Sequence, residues 1–301
     1  MYKKILHTLN KSGYDAYMVG GAVRDFLLGK EPSDVDIATN ATPEIVIGLF
    51  PVVYPTGIEY GTVTVMLGEE GYEVTTFRTD GEYLDGRRPE VVTFGETIEE
   101  DLCRRDFTIN SMAMDVNGEI IDLFGAQDDL QEGIIRAVGS PVKRFSEDAL
   151  RILRAFRFSA RFGFNIETKT MSAIEETKEG LKLISPERIR EEIIKILLTD
   201  NVLDVFIAMY KSGVLNVILP EIAGMYGVEQ NHPHHIYDVF THTMVSIESA
   251  PKELVLRLAM LLHDIGKPYT KERIDGVDKF YKHHLKSVEL ATQILERLKF
   301  S

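Results

Sequence analysis

Cysteine is nearly absent. Cys103 is the only one in 301 residues, so no internal disulfide can form and a stapled secreted scaffold is excluded. A reducing compartment, the cytoplasm, is the expectation. Long apolar runs are missing as well. Residues 1–10 carry lysines from the start, and the most apolar segment, 254–262, is interrupted by Arg257 and is far shorter than a bilayer requires, so neither a leader nor a membrane span is expected. Positive charge is in deficit: 34 basic against 47 acidic residues leave a net −13, which argues against indiscriminate coating of nucleic acid and confines any such contact to a local basic groove. Internal repeats, low-complexity tracts and long Pro/Gly/Ser linkers do not occur. Neither a G-x-x-x-x-G-K-[ST] loop nor a G-x-G-x-x-G fingerprint is present, so the usual nucleotide folds lose support. The chain does have 44% apolar and 27% charged residues, the composition of a folded protein with one large core or two smaller ones.

Up to about residue 122 short β-like runs alternate with helical patterns. Residues 14–19, 34–38, 61–67 and 72–78 read as strands and 22–28 and 43–50 as helices, giving an α/β or α+β head. Asn117-Gly118, between runs 111–116 and 119–124, predicts a hairpin that closes this unit. From about Ser146 the period turns helical and stays so, with breaks at Gly163, Ser185-Pro186, Gly213 and Pro220. Ser185 followed by Pro186 predicts a capped helix start running to about Leu198. The expected order is therefore an α+β head followed by an all-α remainder.

Gly20-Gly21-Ala22-Val23-Arg24-Asp25 follows a strand and opens a helix, so backbone N–H groups can approach an anion there, with the Arg24 fork about a turn later. Asp34-Val35-Asp36 then reads as a strand in which alternation puts both carboxylates on one face. Paired hard oxygen ligands point to Mg²⁺ shared with substrate phosphates. Glu73, opening another β-like run, is the candidate third carboxylate that two-metal phosphoryl transfer needs. Alone, each signal is compatible with an ordinary turn or a solvated strand edge. As an ordered set they resemble the nucleotidyltransferase superfamily that includes DNA polymerase β.

Two segments rich in arginine follow. Residues 100–110 pack Arg104, Arg105, Asp106 and Asn110 into a stretch otherwise shaped for burial, where such groups demand partners. In 147–161, Asp148, Arg151, Arg154, Arg157 and Arg161 fall within about half the circumference of a helix, opposite Ile152, Leu153 and Phe156. Nearby acids are too few to neutralise this face, and arginine is the residue whose fork matches phosphates and base edges. Asp148 and Arg151 together offer an acceptor and donors to a nucleobase edge.

With Gly20 to Asp36, Arg104-Arg105-Asp106, Glu147-Asp148-Ala149-Leu150-Arg151 and Ser185 to Glu192 in order, residues 10–200 closely resemble the bacterial class II tRNA nucleotidyltransferases, the CCA-adding family. The resemblance implies a polymerase-β-like head over 1–135, a helical neck and body over 136–228 that carries the nucleotide template and RNA-binding region, and an incomplete HD-like helical region over 229–301. It implies Mg²⁺ on Asp34 and Asp36, with Glu73 as the third catalytic carboxylate. Gly21 and Arg24 would meet the triphosphate, and Arg105, with Asp106 and Asn110, would hold the nucleotide. Asp148 and Arg151 would pair with CTP or ATP in place of a nucleic-acid template, and Arg154 and Arg157 would line the same site. The implied activity is addition of CCA to the tRNA 3′ end with release of pyrophosphate, and Lys143 and Arg144 are candidate tRNA contacts. The alternatives are an A-adding enzyme or a poly(A) polymerase of the same family and, from another class, an HD phosphohydrolase with an inactive head. The polar segment 78–100, with Asp80 to Pro89 at its centre, resembles the family's loop that supports the change from C to A addition and speaks against a CC-only enzyme.

Seven of the eight histidines follow residue 230. His242, His263-Asp264 and His283 resemble, in order, the ligands of an HD phosphohydrolase and suit a second divalent cation. The later aspartate typical of such sites is missing, since no Asp follows Asp278, and His284 stands where an acid is common. His232, His234 and His235 read as a polar turn around Pro233. Because family members continue well past this length, Ser301 is expected to be a truncation or an unusually short terminus.

Overall fold

The computed structural model describes residues 1–32, 34–80, 92–231 and 236–300. The centre of the expected loop (residues 81–89) and the turn of His232, His234 and His235 therefore lie outside the described residues. Two compact units divide the chain, Met1–Glu147 and Asp148–Ser301. The division falls further along than the expected boundary at 135. Among the described residues no helix is long and apolar enough to cross a membrane.

The first unit is built on a seven-stranded sheet of order β3-β4-β5-β2-β1-β8-β9. Its strands are β1 (Ala16–Val19), β2 (Asp36–Thr39), β3 (Val53–Gly57), β4 (Thr62–Leu67), β5 (Glu70–Thr76), β8 (Met112–Met114) and β9 (Ile120–Asp122). A separate ribbon pairs β6 (Arg78–Asp80) with β7 (Val92–Phe94). β1 and β2 are antiparallel, whereas β2 and β5 are parallel, with Ile37 opposite Val74. Alternation along these strands makes two cores. Ile37, Val63, Val65 and Val74 pack with Ile5, Leu6 and Leu9 of α1 (Lys3–Lys11) and Val46 of α3 (Pro43–Leu49). Val19, Ala38 and Ala113 point to the other face, against Ile98 and Leu102 of α4 (Ile98–Cys103). Each such buried aliphatic side chain stabilises the fold by about 2 kcal/mol.

The expected strands are all found, with shifted ends. One shift bears on the site: β2 begins at Asp36, so Asp34 lies before the strand rather than in it. Val19, the last residue of β1, pairs with Asp36, and Gly20 then leaves the sheet at φ 70° into α2 (Gly21–Leu27), so Asp34 has no strand opposite it. The hairpin at Asn117-Gly118 forms between β8 and β9, but pairing stops at Met114 and Ile120. The wider loop is held by Asp115 Oδ1, which accepts from the amides of Asn117 and Glu119. Helix α1 and strand β3 were not among the expected elements.

The second unit is helical: α7 (Leu150–Phe162), α8 (Thr168–Thr177), α9 (Pro186–Leu197), α10 (Val202–Lys211), α11 (Val214–Ile218), α12 (Pro220–Ala223), α13 (Val239–Ser249), α14 (Leu254–Leu262), α15 (Lys267–Thr270) and α16 (His283–Arg297). It is not all-α as expected, because Lys271–Ile274 pairs with Val277–Phe280 in an antiparallel hairpin. Asp275, at φ 51°, and Gly276, at φ 80°, supply the left-handed turn this requires. Ser185 does precede α9 with Pro186 at the first helical position, yet its hydroxyl makes no cap bond. Arg257, which interrupts the apolar run of α14, is 2% exposed. Its guanidinium donates to the carbonyls of Leu197, Thr199, Ala250 and Pro251 at the ends of α9 and α13, groups that a helix terminus leaves without partners.

Candidate active site

In the first unit, the face of the sheet that packs against α4 also carries Asp36 and Glu73. The parallel register of β2 and β5 makes them neighbours on adjacent strands, because Ile37 opposite Val74 places the preceding residues side by side. Asp36, Ala38, Glu73, Thr75, Arg78, Asp101, Arg104 and Arg105 are among the residues lining a cleft of about 280 Å³. The Asp36 carboxyl is held above its ordinary range, first by desolvation, then by repulsion from Glu73 and from Asp34, with Arg105 opposing. Asp36 and Glu73 thus line the cleft, and the charge of Asp34, before the strand, still reaches Asp36. Crowded like charges of this kind fit a divalent cation, which would relieve the repulsion with the hard oxygen donors it prefers.

Arg105 is fixed from two sides. Asp101, on α4, takes Nε and Nη2 of Arg105 on its Oδ2 at 3.2 and 2.8 Å, while its Oδ1 takes Nε and Nη2 of Arg104 at 2.9 and 2.7 Å. Across the guanidinium lies Gly20, where a Cβ would come within 2.8 Å of Arg105 Nη1, so the glycine is needed for space as well as for its positive φ.

The other head residues gather behind the turn rather than on the lining of the cleft. Arg24 is 3% exposed; its Nε donates to Asp25 Oδ1 at 2.8 Å and its Nη1 to Asn110 Oδ1. Gly21 lies over this guanidinium, and a Cβ there would be 3.2 Å from Nη2. Asn110 donates in turn to Asp106 Oδ1 at 3.1 Å, and the same oxygen accepts the Phe107 amide. Arg24, Asp106 and Asn110 are thus one buried network.

In the second unit, α7 has the face the sequence predicts: Ile152, Leu153 and Phe156 are buried, whereas Arg151, Arg154 and Arg157 are half-buried and Arg161 is exposed. Asp148 precedes the helix. Its Oδ1 accepts the Leu150 amide at 3.0 Å, and its Oδ2 is 2.7 Å from Arg188 Nη2. Arg157 is held by Glu192 of α9 at 2.9 Å, and Arg154 and Arg157 stand 5.5 and 4.6 Å from the centre of the Phe158 ring.

Further along, Asp264 is a hub. His242 and His263 Nε2 lie 3.7 and 3.1 Å from its Oδ2, and His283 Nε2 lies 3.5 Å from its Oδ1. All four expected residues come together. Backbone carbonyls of Met260 and Phe280 orient Nδ1 of His263 and His283. A Cβ on Gly266 would collide with the His283 carbonyl and lie 2.6 Å from the Ser287 amide, so α16 can approach this closely only over a glycine. His242, His263 and Asp264 are spaced to hold a metal ion. Asp264 already has a cation, Lys267, whose Nζ is 2.7 Å from Oδ2 and 2.7 Å from Gln230 Oε1. Burial alone would push the Asp264 carboxyl up, but hydrogen bonds from His263 and Lys267 outweigh it and hold the group well below the carboxylate range. Burial also pulls His242 down and would lower His263, which Asp264 instead keeps above the usual range.

The sequence reading did not single out Asp101, Arg188, Glu192 or Lys267 as site residues. For Asp101 a local signal existed, an acid three and four residues before two arginines. Arg188 and Glu192 are 40 and 35 residues from their partners.

Comparison with known proteins follows the same order along the chain. Residues 16–136 match the poly A polymerase head domain, 163–225 the probable RNA and SrmB-binding site of polymerase A, and 233–300 the HD domain. The CCA-adding enzyme of Lactobacillus helveticus is 50% identical over 229 residues, 76% of this chain and 57% of that protein. That of Oceanobacillus iheyensis is 54% identical over 192 residues, 64% of this chain and 48% of that protein. The chain thus spans about half the length of the curated relatives it matches. Among solved structures, the Bacillus stearothermophilus CCA-adding enzyme in complex with CTP aligns with a TM-score of 0.66 at 33% identity, covering 99% of this chain and 80% of that one. The Thermotoga maritima CCA-adding enzyme complexed with tRNA aligns with a TM-score of 0.66 at 25% identity, covering 98% and 65%.

Proposed function

This chain belongs to the family of CCA-adding enzymes, and from that premise we propose that it is a tRNA nucleotidyltransferase, adding CCA to the tRNA 3′ end from CTP and ATP in the cytoplasm. The observation that carries the reading is the convergence of Asp36, Glu73 and Arg105 on one cleft. Asp34 and Asp36 would hold Mg²⁺, with Glu73 beside them. When bound, the cation supplies activation of the attacking 3′-hydroxyl and neutralises charge on the leaving pyrophosphate. Arg105, already fixed by Asp101, would meet the phosphates without reorganising. The buried Arg24–Asn110–Asp106 network would keep the Gly20-Gly21 turn in place behind them.

For base selection, Asp148 and Arg151 are the natural pair. Cytosine and adenine both present an amino donor where uracil and guanine present a carbonyl. Asp148 has lone pairs beyond those given to Leu150 and Arg188, so it can accept that amino group. UTP or GTP would instead set an acceptor against a carboxylate and leave it unpaired. Arg154 and Arg157 would line the same nucleotide site. In the C-terminal cluster, His242, His263, Asp264 and His283 would take a second divalent cation in competition with Lys267.

Labelled nucleotides test the proposal. With Mg²⁺ and a tRNA ending at its discriminator base, label should enter from CTP and ATP and not from UTP or GTP. Long A tails would indicate a poly(A) polymerase, and no incorporation together with cleavage of cyclic phosphodiesters would indicate the hydrolase.

A further inference from the structure

Asp101 enters the chemistry above only as the holder of Arg105. Its side chain is 1% exposed, and a buried carboxylate is costly unless compensated. Both its oxygens are used, one for each of two guanidiniums, because residues three and four positions on share its side of α4. Arg105 is therefore drawn in two directions. Asp101 holds it on one side, and Asp36 lines the same cleft as the guanidinium. Gly20 leaves room for the guanidinium on that wall of the cleft. Without the Asp101 carboxylate, the acids left to Arg105 in the cleft include Asp36, and an Arg105–Asp36 ion pair would take the oxygens a divalent cation needs.

We propose that Asp101 is a positioning residue that tethers Arg105 away from Asp36, so that the carboxylates stay open to a divalent cation and the guanidinium stays aimed at phosphate. The proposal rests on the reading of this cleft as the transfer site. In this role Asp101 acts through Arg105 and touches no reacting atom.

The test is a cycle of Asp101→Asn, Arg105→Ala and the double variant in the 301-residue chain. Two quantities are read: Mn²⁺ affinity by electron paramagnetic resonance without nucleotide, and the Mg²⁺ concentration for half-maximal transfer. Asp36→Asn identifies the part of the Mn²⁺ signal that belongs to the head. Asp101→Asn should weaken Mn²⁺ binding about tenfold and raise the Mg²⁺ requirement alike, but in the Arg105→Ala background it should change Mn²⁺ binding by less than about twofold. Equal weakening in both backgrounds would reduce Asp101 to a contributor of negative charge and overturn the tether, as would no weakening with Arg105 present. Should Asp101→Asn fail to fold, Asp101→Glu keeps the charge but moves Arg105 toward Asp36, and unchanged Mn²⁺ affinity in it overturns the proposal. Absence of transfer by the wild type would refute the transfer reading instead, leaving the Mn²⁺ cycle to decide the tether.

Discussion

Asp36 in the head and three acids of the second unit are treated in opposite ways. In the head, burial and the charges of Glu73 and Asp34 push the Asp36 carboxyl up against the pull of Arg105. In the second unit Asp148 has Arg188, Glu192 has Arg157 and Asp264 has Lys267 and His263. Around Asp36 the head therefore stores repulsion that an incoming cation can relieve, while Asp148, Glu192 and Asp264 are spent on structure and orientation. On the proposed function, the raised carboxylate marks the reactive centre and the matched ones mark the frame.

The largest effect expected from this contrast is on transfer. Asp36→Asn should lower single-turnover incorporation of CTP about a thousandfold or more, since it removes a hard ligand, and near-normal turnover would deny the head its special standing. Next comes Asp264→Asn, which leaves Lys267 buried without its counter-charge. Urea unfolding should show a loss of about 3 kcal/mol at neutral pH. The sign with pH follows from a depressed pKa: this contribution is present above the ordinary carboxylate range and is lost as pH falls through and below it, so variant and wild type should converge in acid. Smaller again, Arg151→Ala should reduce discrimination against UTP and GTP about tenfold with the fold intact, as measured by ratios of kcat/KM. Unchanged selectivity would return Arg151 to the frame. The smallest effect has the opposite sign to the second. Because the Asp36 pKa is raised, its ionised form opposes folding at neutral pH and the opposition fades as pH drops. Asp36→Asn should accordingly stabilise the head by a fraction of a kcal/mol, seen as a slightly higher urea midpoint. Destabilisation there would contradict the idea of stored repulsion.

Much of this contrast is legible locally. The two-residue period around Asp36 and Glu73 and the arginine face of α7 each lie within a few residues of chain, and both are found. Strand β2 shows where local reading stops: Asp34 continues the alternating pattern but has no strand opposite it once Gly20 turns away. Helix α1 has its signal in Ile5, Leu6 and Leu9, a spacing overlooked beside the stronger strand patterns. Arg188 and Glu192 lie on a helix distant in sequence, and only the packing of α9 on α7 brings them to Asp148 and Arg157. Lys267 is adjacent to the histidine cluster in sequence, yet whether it enters the cluster or reaches solvent depends on α16 closing over Gly266.

The most direct measurement is the sequence of the 3′ ends made by the 301-residue chain, with Mg²⁺, CTP, ATP, UTP and GTP together, on tRNAs that end at the discriminator base, at C and at CC. A head that adds and a neck that selects should bring all three to CCA and stop. Growth of the CC substrate alone would restrict the chain to A addition, while misincorporated U or G, unlimited A tails, or no extension of any of them would contradict the proposed function.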